Sequence, residues 1–130
     1  MEALIIEATP NTPKVTLNPA EKIFNITGES RPENVKDFYE PILKWFENYL
    51  AELKSQGNTK AFSLRLFLEY FNSSSAKYML NLSKKMYEFI AAGIPVSIDW
   101  CFIEDDEDMK ETGEEIERMT KVPFKYMVVE

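Results

Sequence analysis

The segment Ala61–Phe71 limits what the chain can fold into more than any other stretch. Phe62, Leu64, Leu66, Leu68 and Tyr70 alternate along one side and Phe67 and Phe71 stand on the other, a period of two that belongs to a β-strand. Apolar residues on both sides predict a central strand covered on both faces. Asn72-Ser73-Ser74-Ser75 follows at once, and then Ala76, Met79, Leu80, Ser83, Met86, Tyr87 and Ile90 recur at helical spacing as far as Gly93. Pro95 stops that helix.

The rest of the chain repeats the change of period. Leu4–Glu7 is apolar, Pro10 and Pro13 break it, Lys14–Leu17 resumes extended structure and Lys22–Gly28 carries Phe24 and Ile26 on one face. Two strands are expected before the first long helix. That helix is predicted from Val35, Phe38, Tyr39, Ile42, Leu43, Phe46, Tyr49, Leu50 and Leu53. Pro41 lies inside it, so either the helix kinks there or a second start places Pro41 near its first position. Val96–Ile103 reads as a strand, Asp108–Thr120 as a third helix with Met109, Ile116 and Met119 inward, and Phe124–Val129 as a last strand. The order strand, strand, helix, strand, helix, strand, helix, strand predicts an α/β fold. Its single domain spans residues 1–130, with a mixed central sheet, parallel pairs joined by right-handed crossovers, and about three packed helices. Functional loops of such sheets lie beyond the carboxyl ends of the strands, so Asn72–Ser75 and Glu104–Asp108 are expected to be neighbours.

Composition removes many chemistries. The 130 residues contain no histidine, one cysteine (Cys101) and four glycines, Gly28, Gly57, Gly93 and Gly113. Histidine-dependent triads, Cys-His nucleophiles and Cys/His zinc sites are excluded, and the dispersed glycines form neither a P-loop nor a dinucleotide fingerprint. No cofactor or metal site is expected. Fifteen Lys and Arg against 22 Asp and Glu leave a net charge of −7, which disfavours nucleic acid and anionic membranes as partners and favours a basic protein surface. No apolar run approaches the roughly 18 residues of a membrane span, one cysteine allows no internal disulfide, and MEALIIEATP lacks the features of a secretion signal. A cytoplasmic protein is expected.

Hydroxyls and carboxylates remain. Ser73, Ser74 and Ser75 stand where a buried strand meets the first turn of an amphipathic helix. Helix capping accounts for one or two of Asn72 and these three serines, since Asn and Ser side chains accept from orphan first-turn amides. The alternative is a phosphoacceptor, whose added charge of about −1.5 to −2 would meet the positive end of the helix dipole. Lys77, one turn further, is placed to meet such a phosphate. The run Glu104-Asp105-Asp106-Glu107-Asp108 reads as a solvated loop favouring the next helix start, as an acidic rim for a basic partner, or as a small acidic metal-binding site. It lacks the alternating ligands and central glycine of an EF-hand. Trp45, Trp100 and Cys101 are expected in the packing, and Arg65 and Glu69 share a strand face where they can pair.

Tyr70-Phe71-Asn72-Ser73-Ser74-Ser75-Ala76-Lys77-Tyr78-Met79 resembles the SiaC family of bacterial regulatory phosphoproteins. Gly28-Glu29-Ser30-Arg31-Pro32-Glu33-Asn34, Phe38-Tyr39, Trp45 and Gly93-Ile94-Pro95-Val96 extend the resemblance over nearly the whole chain. The family is similar in fold to STAS domains, the anti-sigma-factor antagonists. The resemblance implies a non-enzymatic switch with Ser73 as phosphorylation site, and Asn72, Ser74, Ser75, Lys77, Asp105 and Asp106 at the surface that binds partners. It further implies a Ser/Thr kinase of the anti-sigma type, a PP2C-like phosphatase and an effector such as a diguanylate cyclase. An antagonist acting on an anti-sigma kinase is the alternative within the same fold.

Overall fold

The computed structural model describes residues 1–130 as nine elements: β1 (Leu4–Ile6), β2 (Lys14–Asn18), β3 (Ile23–Ser30), α1 (Val35–Gln56), β4 (Phe62–Phe71), α2 (Ser73–Ala91), β5 (Val96–Ile103), α3 (Glu107–Thr120) and β6 (Phe124–Val129). Three strands precede α1 where two were expected. β1 is only three residues long and is defined by its antiparallel pairing with β2, Leu4 opposite Leu17 and Ile6 opposite Val15. So short a run carries too little alternation to be separated from its neighbour by pattern alone.

The six strands form one sheet in the order β1-β2-β3-β4-β5-β6. The first three are antiparallel neighbours, and β3 through β6 run parallel. Every parallel connection steps one place in the same direction, and right-handed crossovers then bring all three helices onto the same face. The core lies there. Phe24, Leu64, Leu66, Ile98 and Trp100 from the sheet are buried with Tyr39, Phe46, Met79, Phe89 and Ile116 from the helices. The opposite face shows Ser63, Arg65, Phe67, Ser97 and Asp99, all partly exposed. β4 is therefore central but covered on one face only, which corrects the expectation of double cover.

The end of β4 departs from simple alternation. Gly28 pairs with Leu68 but Glu29 pairs with Tyr70, so Glu69 is an extra residue that exchanges the two faces. Tyr70, expected to face inward, is 46% exposed. Phe71, expected opposite it, meets Trp100 edge-on at 6.3 Å. Glu69 and Arg65 consequently do not pair. Arg65 reaches across the sheet and donates to Met127 Sδ at 3.7 Å.

The helices start and stop on local chemistry. Asn34 Oδ1 accepts from the Asp37 amide at 3.1 Å to open α1, which then runs through Pro41 as one uninterrupted helix without a second start. It closes at Gly57 in the left-handed region (φ 63°), where the Gly57 and Asn58 amides donate back to Lys54 and Leu53 carbonyls. In α3, Met109, Gly113, Ile116 and Thr120 form the inward stripe. Met119 lies beside that stripe and is 59% exposed, correcting its expected inward placement. Trp45 and Trp100 are buried as expected. Cys101 is also buried, and burial pushes its thiol pKa upward. No helix is long and apolar enough to cross a membrane.

Candidate functional site

The carboxyl end of β4 delivers the chain directly into α2, and each residue of the turn has a separate task. Asn72, in extended conformation (φ −82°, ψ 172°), is the N-cap. Its Oδ1 accepts the Ser75 amide at 2.9 Å and the Ser74 hydroxyl at 3.0 Å. Its own amide donates to the Ser30 carbonyl at 3.2 Å, tying the cap to the end of β3.

Ser75 turns inward and is fully buried, because position 75 continues the apolar stripe of Met79, Leu82 and Met86 back by one turn. Its hydroxyl donates to the Ser30 carbonyl at 3.1 Å and accepts from Ser30 Oγ at 2.9 Å. Ser30 Oγ also meets the Tyr39 hydroxyl at 2.5 Å. Burial pushes the Tyr39 pKa up to about 12. Ser75 was expected on a partner-binding surface; burial among Ser30 and Tyr39 gives it an internal role instead.

Ser74 is exposed but its hydroxyl is engaged with the cap. Ser73 is exposed, and its hydroxyl makes no hydrogen bond to the protein. The capping reading thus accounts for Asn72 and Ser74, an internal contact accounts for Ser75, and Ser73 is left over. Ser73, Lys77 and Leu80 of α2 face Thr112, Glu115 and Met119 of α3 across an open, largely apolar groove. Lys77 is exposed in that wall.

The acidic loop adjoins this groove. Asp106 and Asp108 share a neighbouring hollow with Tyr70, Phe71 and Thr112, and Thr112 borders both depressions. The expected proximity of the two loops at the carboxyl end of the sheet is observed. Asp106 caps α3, its Oδ1 accepting the Met109 amide at 3.0 Å, while Asp105 is exposed. No three Asp, Glu or Cys side chains converge to hold a metal ion, so the acidic run lacks the geometry of a metal site.

Nothing in the sequence pattern marks Arg31 and Tyr70 as partners. The Arg31 guanidinium pairs with Glu29 at 2.8 Å and lies over the Tyr70 ring, 4.8 Å from its centroid. The bulge at Glu69 creates this arrangement by turning Tyr70 outward. Ser30 was legible in principle, since it follows Phe24, Ile26 and Gly28 at a period of two on the inward side of β3.

Known proteins share this fold. The crystal structure of apo-SiaC from Pseudomonas aeruginosa superposes with a TM-score of 0.83 at 27% identity, covering 98% of this chain and all of that one. A chain in the crystal structure of the diguanylate cyclase SiaD in complex with its activator SiaC, also from Pseudomonas aeruginosa, gives a TM-score of 0.86 at 28% identity over 97% of this chain and 99% of that one. An uncharacterised protein of Pseudomonas aeruginosa strain UCBPP-PA14 is 29% identical over 124 residues, 95% of this chain and 94% of its own length. The fold is accordingly the STAS-like α/β architecture. The model of the SiaC family regulatory phosphoproteins matches residues 6–129, and with the near-complete structural overlap this establishes that the chain belongs to that family.

Proposed function

We propose that this protein is a non-catalytic signalling switch whose partner binding is toggled by phosphate on Ser73. The observation that carries the proposal is the division of labour among the three serines: Ser75 is buried, Ser74 is held by Asn72, and Ser73 is exposed at the lip of the α2–α3 groove. A phosphoryl group there lies at the start of α2, where first-turn amides and the helix dipole favour an anion by about 0.3–1 kcal/mol. Folding therefore tolerates the modification. A partner seated in the groove does not, because Glu115, Asp106 and Asp108 already make the surroundings negative and the phosphate adds about −1.5 to −2 charges.

The relative named as an activator of a diguanylate cyclase supports a cyclase as effector here. A Ser/Thr kinase of the anti-sigma type and a PP2C-like phosphatase supply and remove the phosphate. Lys77 and the exposed Asp105 complete the partner-facing surface, with Asp106 contributing from its capping position.

Intact-mass analysis after incubation with a cognate kinase tests the acceptor. Wild type is expected to gain one phosphate and Ser73→Ala none; equal uptake by both would place the acceptor elsewhere. Ser73→Asp is expected to melt close to wild type while binding a cyclase effector at least tenfold more weakly by calorimetry, a loss of about 1.4 kcal/mol. Co-purification of an anti-sigma kinase without any cyclase would favour the antagonist role instead.

A further inference from the structure

Three hydroxyls join elements that are distant in sequence: Ser30 at the end of β3, Tyr39 in α1 and Ser75 in the first turn of α2. A hydroxyl has one proton to donate. Ser75 gives its proton to the Ser30 carbonyl, and Ser30 gives its own to Ser75 Oγ. Ser30 has none left for Tyr39, so the phenol is the donor in that contact. The result is a directed chain, from Tyr39 to Ser30 to Ser75 and back to the Ser30 carbonyl. That carbonyl also accepts the Asn72 amide, and Asn72 in turn holds the Ser74 hydroxyl and the Ser75 amide. All three hydroxyl residues are 0% exposed, so water cannot take the place of a lost partner.

We infer that the Tyr39–Ser30–Ser75 chain is a positioning device that fixes the turn presenting Ser73 and makes α1 a structural part of the switch. Capping does not require it, because Asn72 alone satisfies the Ser75 amide. Ring packing does not require it either. The Tyr39 ring stacks on Tyr78 at 5.3 Å and meets Phe38 edge-on at 4.9 Å, contacts that a phenylalanine would keep. What the hydroxyl adds is a link from α1 to the one carbonyl on which the cap hangs. The value of that link to signalling rests on Ser73 being the acceptor; the link itself does not.

Amide hydrogen exchange followed by NMR on the unphosphorylated protein, with no kinase present, is the test. In Tyr39→Phe the amides of Asn72, Ser75 and Ala76, which donate to Ser30 or Asn72, are expected to exchange about tenfold faster, while those of Leu66 and Ile98 in the central strands keep their wild-type rates. Ser75→Ala, which breaks the chain at its other end, is expected to give the same local pattern. Unchanged rates at the turn in both variants would overturn the inference. So would equal acceleration at Leu66 and Ile98, since the hydroxyl would then support the whole domain rather than the turn. Local acceleration in a protein that takes no phosphate on Ser73 would retain the positioning chain and remove the acceptor assignment; phosphate uptake with unchanged exchange would do the reverse.

Discussion

At Gly113 the backbone of α3 comes close to the sheet. A Cβ built there would lie 2.6 Å from the Trp100 ring, which is itself 2% exposed and cannot swing into solvent. The glycine is present for close approach, since its backbone is helical and alanine is otherwise the better helix former by about 1 kcal/mol. Gly113→Ala is expected to destabilise the protein by about 1–3 kcal/mol despite that propensity gain, because overpacking a close-packed site displaces backbone or ring. Thermal melts should show a midpoint lowered by several degrees; an unchanged or raised midpoint would mean that α3 shifts freely. Side-chain identity at this scale was partly legible in the sequence. The inward stripe of α2 includes position 75 and the inward side of β3 includes position 30, but a serine adds nothing to an apolar pattern, so periodicity alone marks neither as buried. The cap at Asn72 follows from its residue type at a strand-to-helix turn.

At the scale of elements, α3 and β6 are joined by one carboxylate. Glu117 accepts the Tyr126 hydroxyl at 2.6 Å through Oε1 and the Phe124 amide at 2.9 Å through Oε2. That second bond closes the start of β6 against the end of α3. Glu117→Ala removes both acceptors and leaves a partly buried amide and phenol unpaired, so a loss of about 2–3 kcal/mol is expected in urea unfolding. Glu117→Gln keeps an acceptor and is expected to lose less than half as much; equal losses in both variants would assign the effect to packing. Element existence was largely readable, because helices and most strands carry long periodic runs. The misses have identifiable causes. β1 is shorter than the window in which alternation can be counted, and the extra residue Glu69 reverses the faces of Tyr70 and Phe71 without any Gly or Pro in β4 to announce it.

Over the whole molecule, the direction of the crossovers matters most. Because the parallel strands advance one way only, the sheet has no point at which its order reverses, and hence no crevice of the kind that doubly wound sheets use for ligands. The serine turn and the acidic loop instead lie side by side along one rim, suited to a protein surface. Apolar residues on both sides of β4 concealed this, since Phe67 stands on the open face, only partly exposed. Alkaline conditions should reveal how the core is held. Burial raises Tyr39 to about 12 and also raises Tyr49 and Tyr126, the last further through its bond to the Glu117 carboxylate. The unfolded chain releases these protons near pH 10 whereas the folded state keeps them, so their contribution is complete below about pH 10 and is lost as pH rises through the folded values. Urea midpoints are expected to hold level from pH 7 to 8, to begin to fall near pH 9 as the unfolded Cys101 thiol ionises, and to fall further above 10, less steeply in Tyr39→Phe. A level profile to pH 11 would contradict the burial of these phenols.

The seat of α3 has an optical consequence. The Trp100 indole N–H donates to the Met109 carbonyl at 2.9 Å and its ring lies beneath Gly113, so this chromophore is solvated by one helix and by the sheet on which it stands. Phe71, the last residue before the serine turn, touches the same ring. A change in the pose of the turn thereby alters the polarity around one of the two native indoles, and Trp45→Phe would leave the emission of Trp100 to be read alone. The protein carries its own emission probe at the boundary between its serine turn and its third helix.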